Sequence, residues 1–309
     1  MTWLAEPALR FAHYVLLLGL FGWTAFRLIG LGALSWLGPA PPRAIGLAAA
    51  IAAPVASTAL MLFSIAAMMG QPVSALDWPM VEAMIVGTDL GTAFLVRAAL
   101  LLAALGAVLI RTDKRLGPAI ASCCYAGALV TLGWSGHAAA TEGGLGLFHR
   151  LNNGAHLIAA GLWLGAIGWF FGLTVRCNRE GDQGRVRDLL VAMHAFSLLG
   201  VILVGTVALT GLINSQLVFG VGNAGAVIDT TYGVLLLIKV LLVLGMLVCG
   251  AHNARTSRAS LASARSAALD QGVALIVLRR SLAFEFLLGL LVTAMVALLG
   301  TLSPTGTQL

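Results

Sequence analysis

Charged side chains are scarce in this sequence, because aspartate, glutamate, lysine and arginine together make up 10% of its 309 residues. Soluble globular domains contain about 25% charged residues. Hydrophobic residues make up 60% of the chain, and its mean hydropathy is +0.98. A water-soluble protein this apolar could not cover its surface with polar groups. The composition therefore excludes a soluble domain and indicates a protein whose solvent is the lipid bilayer.

Sequence motifs of the common enzyme classes are also missing. The four cysteines form no CxxC pair, and no P-loop, GxSxG, HExxH or dinucleotide-binding fingerprint occurs at a usable position. Cysteine and histidine patterns typical of zinc sites are absent as well. We therefore predict that the protein is not an enzyme, and we look for its function in the few polar residues of its apolar segments.

Eight apolar segments are long enough to cross a bilayer, which requires about 20 residues in a helix. We expect an all-α, polytopic membrane protein that forms a single membrane domain. A further short helix is expected to begin at Asp77-Trp78-Pro79, between the second and third spans. The predicted spans are approximately 8–34, 43–69, 89–110, 116–136, 150–175, 191–219, 232–253 and 279–302.

Basic residues are concentrated on alternate connections between these spans. The connections after the first, third, fifth and seventh spans contain 13 of the 18 lysines and arginines. The positive-inside rule places these connections in the cytoplasm. Both termini are therefore expected on the outer side of the membrane, and the net charge of +6 is explained without nucleic acid.

Two parts of the chain resemble each other at an offset of about 142 residues. RFAHYVLLLGLFGW around His13 resembles NGAHLIAAGLWLGA around His156, and GTAFLVR up to Arg97 resembles GVLLLIK up to Lys239. Since the paired spans enter the membrane in the same direction, we predict a parallel repeat of four plus four helices. Chance similarity between helices rich in leucine, alanine and glycine is the alternative. The two halves would be residues 1–140 and 141–309.

Ionisable side chains inside membrane spans are costly and usually mark function. Four of the six histidines are expected in the outer half of the bundle: His13, His137, His149 and His156. A single histidine in a helix is more often a hydrogen-bonded core residue than a metal ligand. Four at one depth favour a metal or cofactor site, and imidazole binds copper, zinc, iron or nickel.

Two methionines accompany these histidines on the expected outer side. Met80 and Met84 have a spacing that places two thioethers on one face of a helix, although methionine most often serves packing. Thioethers favour Cu(I), and neutral ligands can replace the water around a soft monovalent cation without adding charge. The donors therefore favour copper as Cu(I), and haem b held by histidines on facing helices is the alternative.

Other polar residues of the spans are candidates for a second site or for control of the first. Glu285 lies well inside the eighth span, and with His194 and His252 it could form an inner, exit-side site. A structural ion pair is the alternative role of Glu285. Arg97 and Lys239 could act as gates, hold an anionic ligand or serve structure alone.

A series of short motifs runs through the second half of the chain. In order they are SGHAAATEGGLGLFHRLNNGAHLIAAGLWLGAI, TGLIN, YGVLLLIKVLLVLG, HNAR and RRSLAFEFLLGLLV. Together with RFAHYVLLLGLFG in the first span, their order and spacing resemble the CopD/PcoD family of copper-resistance membrane proteins. The resemblance is clearest over residues 130–302.

This resemblance implies an eight-span protein of the bacterial inner membrane, so the outer side, where the basic residues predict both termini, is the periplasm. It implies a part in copper uptake or tolerance, often with a small periplasmic copper-binding partner, CopC. It gives His13, His137 and His156 the strongest claim to function, and it supports Lys239 and Glu285 as shared positions.

One region departs from the pattern of that family. The family commonly has an acidic residue one turn before the histidine of the fifth span, where this chain has Asn152 and Asn153. If a carboxylate orients or binds metal there, this protein must use an amide or Glu142 instead.

We therefore predict a protein of copper transport or copper homeostasis, which binds copper at the periplasmic side of the bundle. Two alternatives remain open at this point. One is a haem-binding protein of membrane electron transfer. The other is a receptor that docks a periplasmic copper chaperone without transporting copper.

Overall fold

The computed structural model of the chain describes residues 5–29, 43–110, 116–180, 183–262 and 268–303. Within these ranges the secondary structure is helical and no β-strand occurs, which confirms the all-α prediction. The α-helices are α1 (Ala5–Ile29), α2 (Arg43–Met68), α3 (Trp78–Gly87), α4 (Asp89–Leu109), α5 (Leu116–Val130), α6 (Gly143–Glu180), α7 (Gln183–Val218), α8 (Ala224–Ile228), α9 (Thr231–Ala262) and α10 (Ala268–Leu299). Short 3₁₀ turns cover Val73–Ala75, Thr131–Trp134, His137–Ala140 and Val221–Asn223.

Eight helices of the described ranges are long and apolar enough to cross a membrane, which confirms the predicted number of spans. They are α1, α2, α4, α5 with its continuation to Trp134, α6, α7, α9 and α10. Several are longer than the apolar runs that predicted them, since α6 begins at Gly143 and α10 at Ala268. Backbone hydrogen bonds continue a helix through polar turns beyond the lipid, so hydropathy alone underestimates helix length.

The short helix predicted at Asp77 is present as α3 and lies between α2 and α4. The carboxylate of Asp77 accepts a hydrogen bond from the backbone N–H of Met80 at 3.1 Å, and Pro79 lies in the first turn. An aspartate at the N-cap followed by an early proline is a local signal for a helix start. This explains why the sequence alone was sufficient to place α3.

Matching helix starts occur where the predicted repeat pairs α4 with α9. Thr88 caps α4 by accepting from the N–H of Gly91 at 2.9 Å, and Thr230 caps α9 by accepting from the N–H of Gly233 at 3.1 Å. A Cβ on Gly91 would lie 2.1 Å from a carbonyl oxygen of the short helix α3, and a Cβ on Gly233 would lie 1.9 Å from one of the short helix α8. The same local structure therefore recurs 142 residues later, while the repeat as a whole stays a prediction.

Helix α6 is the central element of the bundle, because it packs against α1, α5, α7 and α10. Trp169 of α6 is buried, and its ring stacks on Trp23 of α1 with 4.1 Å between the ring centroids. The indole N–H of Trp169 also donates to the carbonyl oxygen of Trp23 at 3.0 Å. Side chains on several faces of α6 therefore contact other helices, and this places its polar residues inside the bundle.

The start of α1 and the end of α10 lie at the same end of the bundle. Arg10 of α1, His137 and Leu299 of α10 line one cavity there, and His137 bonds to Leu299. We call this end the histidine end. The other end of the same helices is the opposite end.

Candidate functional site

A cavity of about 210 Å³ lies at the histidine end, between α1, α6, α7, α9 and α10. Three of the singled-out histidines line it, His137, His149 and His156, and Asn153 and Lys239 line it as well. We call it the histidine cavity. Residues that are far apart in the sequence therefore meet around one space inside the bundle.

His156 of α6 is oriented by a threonine of α7. Its Nδ1 lies 2.9 Å from the hydroxyl oxygen of Thr210, and that hydroxyl lies 2.5 Å from the carbonyl oxygen of Thr206. A hydroxyl has one proton, which Thr210 donates to the carbonyl, so it accepts from Nδ1 of His156. The neutral ring therefore has its proton on Nδ1, and its Nε2 is unprotonated.

His137 is held by the end of α10. It follows Gly136, whose φ of 80° lies in the left-handed region that glycine adopts without strain. Its Nε2 lies 3.1 Å from the carbonyl oxygen of Leu299, the last residue of α10. A carbonyl only accepts, so Nε2 donates, and Nδ1 of the neutral ring is unprotonated. The carbonyl oxygen of Leu299 also accepts from the backbone N–H of Leu302 at 3.3 Å.

His149 lies in the second turn of α6 and is buried. Its Nδ1 lies 2.9 Å from the hydroxyl oxygen of Thr141. A hydroxyl can donate or accept, so this bond is compatible with either tautomer of His149. It ties the turn that contains His137 to the beginning of α6, and thereby fixes one wall of the histidine cavity.

His13 lies apart from the other three histidines. It is 1% exposed and lines a separate pocket of about 30 Å³ with Arg97 and Met61. Its Nε2 is buried and has no hydrogen-bond partner in the described part of the chain. Tyr14 and Ser135 line both this pocket and the histidine cavity, so they form part of the wall between them. A pocket of this size accommodates about one or two water molecules.

The two cations that the repeat pairs have different surroundings. The guanidinium of buried Arg97 donates to Thr131, from Nε to the hydroxyl at 2.9 Å and from Nη2 to the carbonyl oxygen at 3.3 Å. Lys239 lines the histidine cavity, where Arg10 is paired with Glu6 at 2.7 Å. No aspartate or glutamate lines that cavity among the residues described. Its charged lining is therefore cationic.

Asn152 and Asn153 are neighbours with different contacts. The Nδ2 of Asn152 donates to the carbonyl oxygen of Thr210 at 2.9 Å and to Oδ1 of Asn214 at 2.8 Å. Asn152 therefore joins α6 to α7 and is buried. Asn153 instead lines the histidine cavity. Of the two amides, Asn153 is the one whose position allows contact with a ligand there.

The two predicted thioethers do not line the histidine cavity. Met80 of α3 is 39% exposed, and Met84 packs against an apolar cluster that includes Met61 and Phe94. The spacing of the two methionines places them on α3, but packing gives them different surroundings. The methionine nearest a histidine pocket in this region is Met61, which lines the pocket of His13.

The residues predicted for an inner site are not brought together. Glu285 is buried and lines a second cavity of about 390 Å³, where Nδ2 of Asn253 donates to its Oε2 at 2.9 Å. His194 and His252 are exposed, and neither lines this cavity. Their similar expected depth in the membrane suggested a single site for the three residues. In the bundle their side chains point in different directions around their helices and have different surroundings.

Within the described ranges, no group of three or more histidine, cysteine, aspartate or glutamate side chains is arranged to hold a metal ion. The three histidines thus share a cavity without forming a closed coordination sphere. His137 and His156 each have one unprotonated nitrogen in the neutral ring, which is the form in which imidazole binds metals. The arrangement suits an ion that is held by few protein ligands at a time.

Sequence reasoning missed the hydroxyl groups that orient these rings. Thr210 is 54 positions from His156 in the chain, and Thr141 is one of several polar residues in the turn before α6. Thr210 is a polar residue inside the apolar run of α7, and this was the available signal that it has a role. Its partner could not be read from spacing, because it lies on another helix.

Comparison with known proteins shows the family of the chain. Family models match it as "Copper resistance protein D-like, N-terminal domain" over residues 1–147 and "Copper resistance protein D" over residues 190–299. It is 35% identical to copper resistance protein D of Pseudomonas syringae pv. tomato over 96% of each chain. It is 28% identical to inner membrane protein YebZ of Escherichia coli (strain K12) over 98% of each chain.

No solved structure gives a significant match to the chain. The family models and the Pseudomonas relative together cover nearly the whole chain, and eight helices of its described ranges are long and apolar enough to cross a membrane. The chain is a multi-pass membrane protein that belongs to the copper resistance protein D family.

Proposed function

We propose that this protein transports copper across the bacterial inner membrane and binds it first in the histidine cavity. The observation that carries the proposal is that His137, His149 and His156 line one cavity at one end of the bundle. Imidazole nitrogen is a ligand that copper accepts readily. The family description, copper resistance, supports copper over the other metals that imidazole binds.

The charges of the cavity favour Cu(I) over Cu(II). Lys239 lines the histidine cavity, Arg10 lines it as well but is paired with Glu6, and no carboxylate lines it among its described lining residues. Repulsion from a fixed cation doubles when the charge of the incoming ion doubles. Neutral imidazoles bind a monovalent copper ion without requiring an acidic counter-charge, so the cavity suits Cu(I) better.

The spread of the histidines favours transfer over storage. A transport site must bind its ion strongly enough for entry and weakly enough for release. Donors that surround a cavity without converging on one point allow an ion to pass from one imidazole to the next. We expect His137 of this cavity to meet incoming copper first, with the exposed thioether of Met80 on α3 as a further donor.

The proposed path runs within the second half of the chain. The helices α6, α7, α9 and α10 line both the histidine cavity and the cavity that contains Glu285. Three buried apolar side chains lie between the two cavities along these helices: Val207, Met246 and Leu288. They form the constriction of the closed path. Copper would leave at the opposite end, where His194 and His252 are exposed.

The distribution of basic residues supports a direction for this path. The connections at the opposite end contain most of the arginines and lysines, which favours that end in the cytoplasm. The histidine end and both termini would then face the periplasm. A periplasmic copper-binding protein of the CopC type would be the donor of copper to His137.

Copper content of the purified protein tests the site. Wild type and single alanine variants of His156, His137, His13 and His252 are loaded with Cu(I) under reducing conditions in nanodiscs, and copper per chain is measured. We expect His156→Ala and His137→Ala to lose copper. His13→Ala should retain it because its pocket is separate, and His252→Ala should retain it because the proposed exit lies beyond the histidine cavity. Unchanged copper after replacement of all three cavity histidines would reject the site.

Copper uptake by proteoliposomes tests transport itself. Uptake by the wild type that His156→Ala abolishes supports a transporter. Copper binding without any uptake would show that the protein is a receptor for a periplasmic donor. A Soret band of the purified protein would instead show haem, although the 210 Å³ cavity is small beside the roughly 300–1,000 Å³ of typical ligand sites.

A further inference from the structure

The second cavity differs in its chemistry from the histidine cavity. It has a volume of about 390 Å³ and lies between α6, α7, α9 and α10, where Val207, Met246 and Leu288 come between its lining residues and those of the histidine cavity along α7, α9 and α10. Most of its lining is apolar, and aromatic rings such as Trp163, Phe170 and Phe196 form part of the wall. Its buried polar centre is Glu285 together with Asn253.

Glu285 is a buried carboxylate without a counter-charge. It is 2% exposed, and no ion pair includes it in the described ranges. Arg258 lines the same cavity, but it is exposed and forms no ion pair with Glu285. An ionised carboxylate that is removed from water without a cation is costly. The charge of Glu285 therefore has to be balanced by a proton or by a cation, since Trp163 and Asn253 give it hydrogen bonds only.

Asn253 adds a second unused oxygen. Its Nδ2 donates to Oε2 of Glu285 at 2.9 Å, so its Oδ1 is the amide atom that this hydrogen bond leaves unused. That Oδ1 is buried and has no hydrogen-bond partner among the residues described, and Asn253 is 5% exposed. The cavity therefore presents a carboxylate and an amide oxygen, and both can accept a hydrogen bond or coordinate a cation.

We propose that Glu285 and Asn253 bind a small hard monovalent cation of the sodium class. Carboxylate and amide oxygens are the ligands that hard cations prefer, whereas Cu(I) prefers sulfur and nitrogen. One monovalent cation balances the single carboxylate. The cavity has room for the water molecules that complete the coordination of the ion.

The position of the site gives the bound cation a role in transport, and this step rests on the proposed function. The same four helices surround both cavities, and Met246 and Leu288 lie between them. A cation at Glu285 draws α9 and α10 together, because Asn253 belongs to α9 and Glu285 to α10. Its binding and release can therefore change the constriction that copper has to pass.

Binding of radiolabelled sodium to the full-length protein in copper-free nanodiscs tests the site. Choline chloride replaces sodium chloride at constant ionic strength. The wild type should bind sodium saturably and in stoichiometric amount. Glu285→Gln keeps the shape but removes the charge, and should weaken binding tenfold or more, about 1.4 kcal/mol or more. Asn253→Leu should weaken it as well, whereas Glu82→Gln, at an exposed position of α3, should not.

Copper loading of the same samples separates this proposal from the proposed function. Glu285→Gln should still load copper in the histidine cavity, and His156→Ala should still bind sodium. A wild type that binds no sodium, or a Glu285→Gln variant that binds sodium as the wild type does, rejects the cation site even if copper loading depends on His156. Sodium binding without any copper binding would reject the copper proposal and leave the cation site.

Discussion

Gly22 and Gly165 lie against each other where α1 crosses α6. A Cβ on Gly165 would lie 2.3 Å from the carbonyl oxygen of Gly22, and a Cβ on Gly22 would lie 2.9 Å from Cα of Gly165. Only residues without a side chain allow two helix backbones to come so close. The two glycines are 143 residues apart, so the first helices of the two predicted halves meet at corresponding positions.

A side chain at this crossing should destabilise the protein. In Gly165→Ala the new methyl group must push α1 away from α6, which we expect to cost about 1–3 kcal/mol. Gly19→Ala is the matched control on α1, because nothing lies within 4 Å of a Cβ there. The measurement is the thermal unfolding midpoint in detergent, and equal midpoints for the two variants would contradict the close crossing.

Removal of the Thr210 hydroxyl should weaken copper binding. In Thr210→Val, His156 loses the acceptor of its Nδ1 proton, so the ring is no longer held with Nε2 unprotonated. Loss of such an orienting partner typically costs about 10–100-fold in metal affinity. Titration against a chromogenic Cu(I) chelator measures the change.

Thr206→Val is the matched control for this prediction. The hydroxyl of Thr206 donates to the carbonyl oxygen of Ile202 at 2.9 Å and does not contact His156. Its removal should leave the copper affinity unchanged. If both valine variants bind copper as the wild type does, the threonine does not orient a copper ligand.

A large side chain at position 211 should block the histidine cavity. Gly211 lines this cavity, and a Cβ there would lie 3.4 Å from Cε1 of His156. We expect Gly211→Ile to fold but to lose copper binding and uptake. Gly205→Ile, on the same helix, meets nothing within 4 Å of its Cβ and should behave as the wild type. Full copper uptake by Gly211→Ile would exclude this cavity from the path.

Aspartate should have opposite effects at two neighbouring positions. In Asn152→Asp a carboxylate replaces the amide N–H groups that face two oxygens, those of Thr210 and Asn214. An unpaired buried charge of this kind should destabilise the protein by about 3 kcal/mol or more. Asn153→Asp adds a carboxylate to the cationic wall of the histidine cavity, so it should fold normally and bind copper more tightly.

Unfolding midpoints and copper affinities of the two aspartate variants check this prediction. The affinity of Asn153→Asp should rise most at low ionic strength, because salt screens the added charge. A stable Asn152→Asp variant together with an unstable Asn153→Asp variant would reverse the assignment of the two amides.

The spans, their number and the short helix α3 were predictable from the sequence. Lipid requires about 20 apolar residues in each spanning helix, wherever that helix packs. The N-cap of α3 is equally local, since Asp77 acts on Met80 three residues away. Such features depend on near neighbours in the chain, so the sequence by itself contains them in full.

The grouping of polar side chains was decided by the tertiary structure. Hydropathy gives the depth of His13 and His156 in the membrane, but not the direction in which each ring points around its helix. Packing turns His13 toward Arg97 in one pocket, and turns His156 toward Thr210 and the histidine cavity. Glu285 meets Asn253 in the same way, through the contact of α9 with α10. These pairs lie on different helices, and only the assembled bundle brings them together.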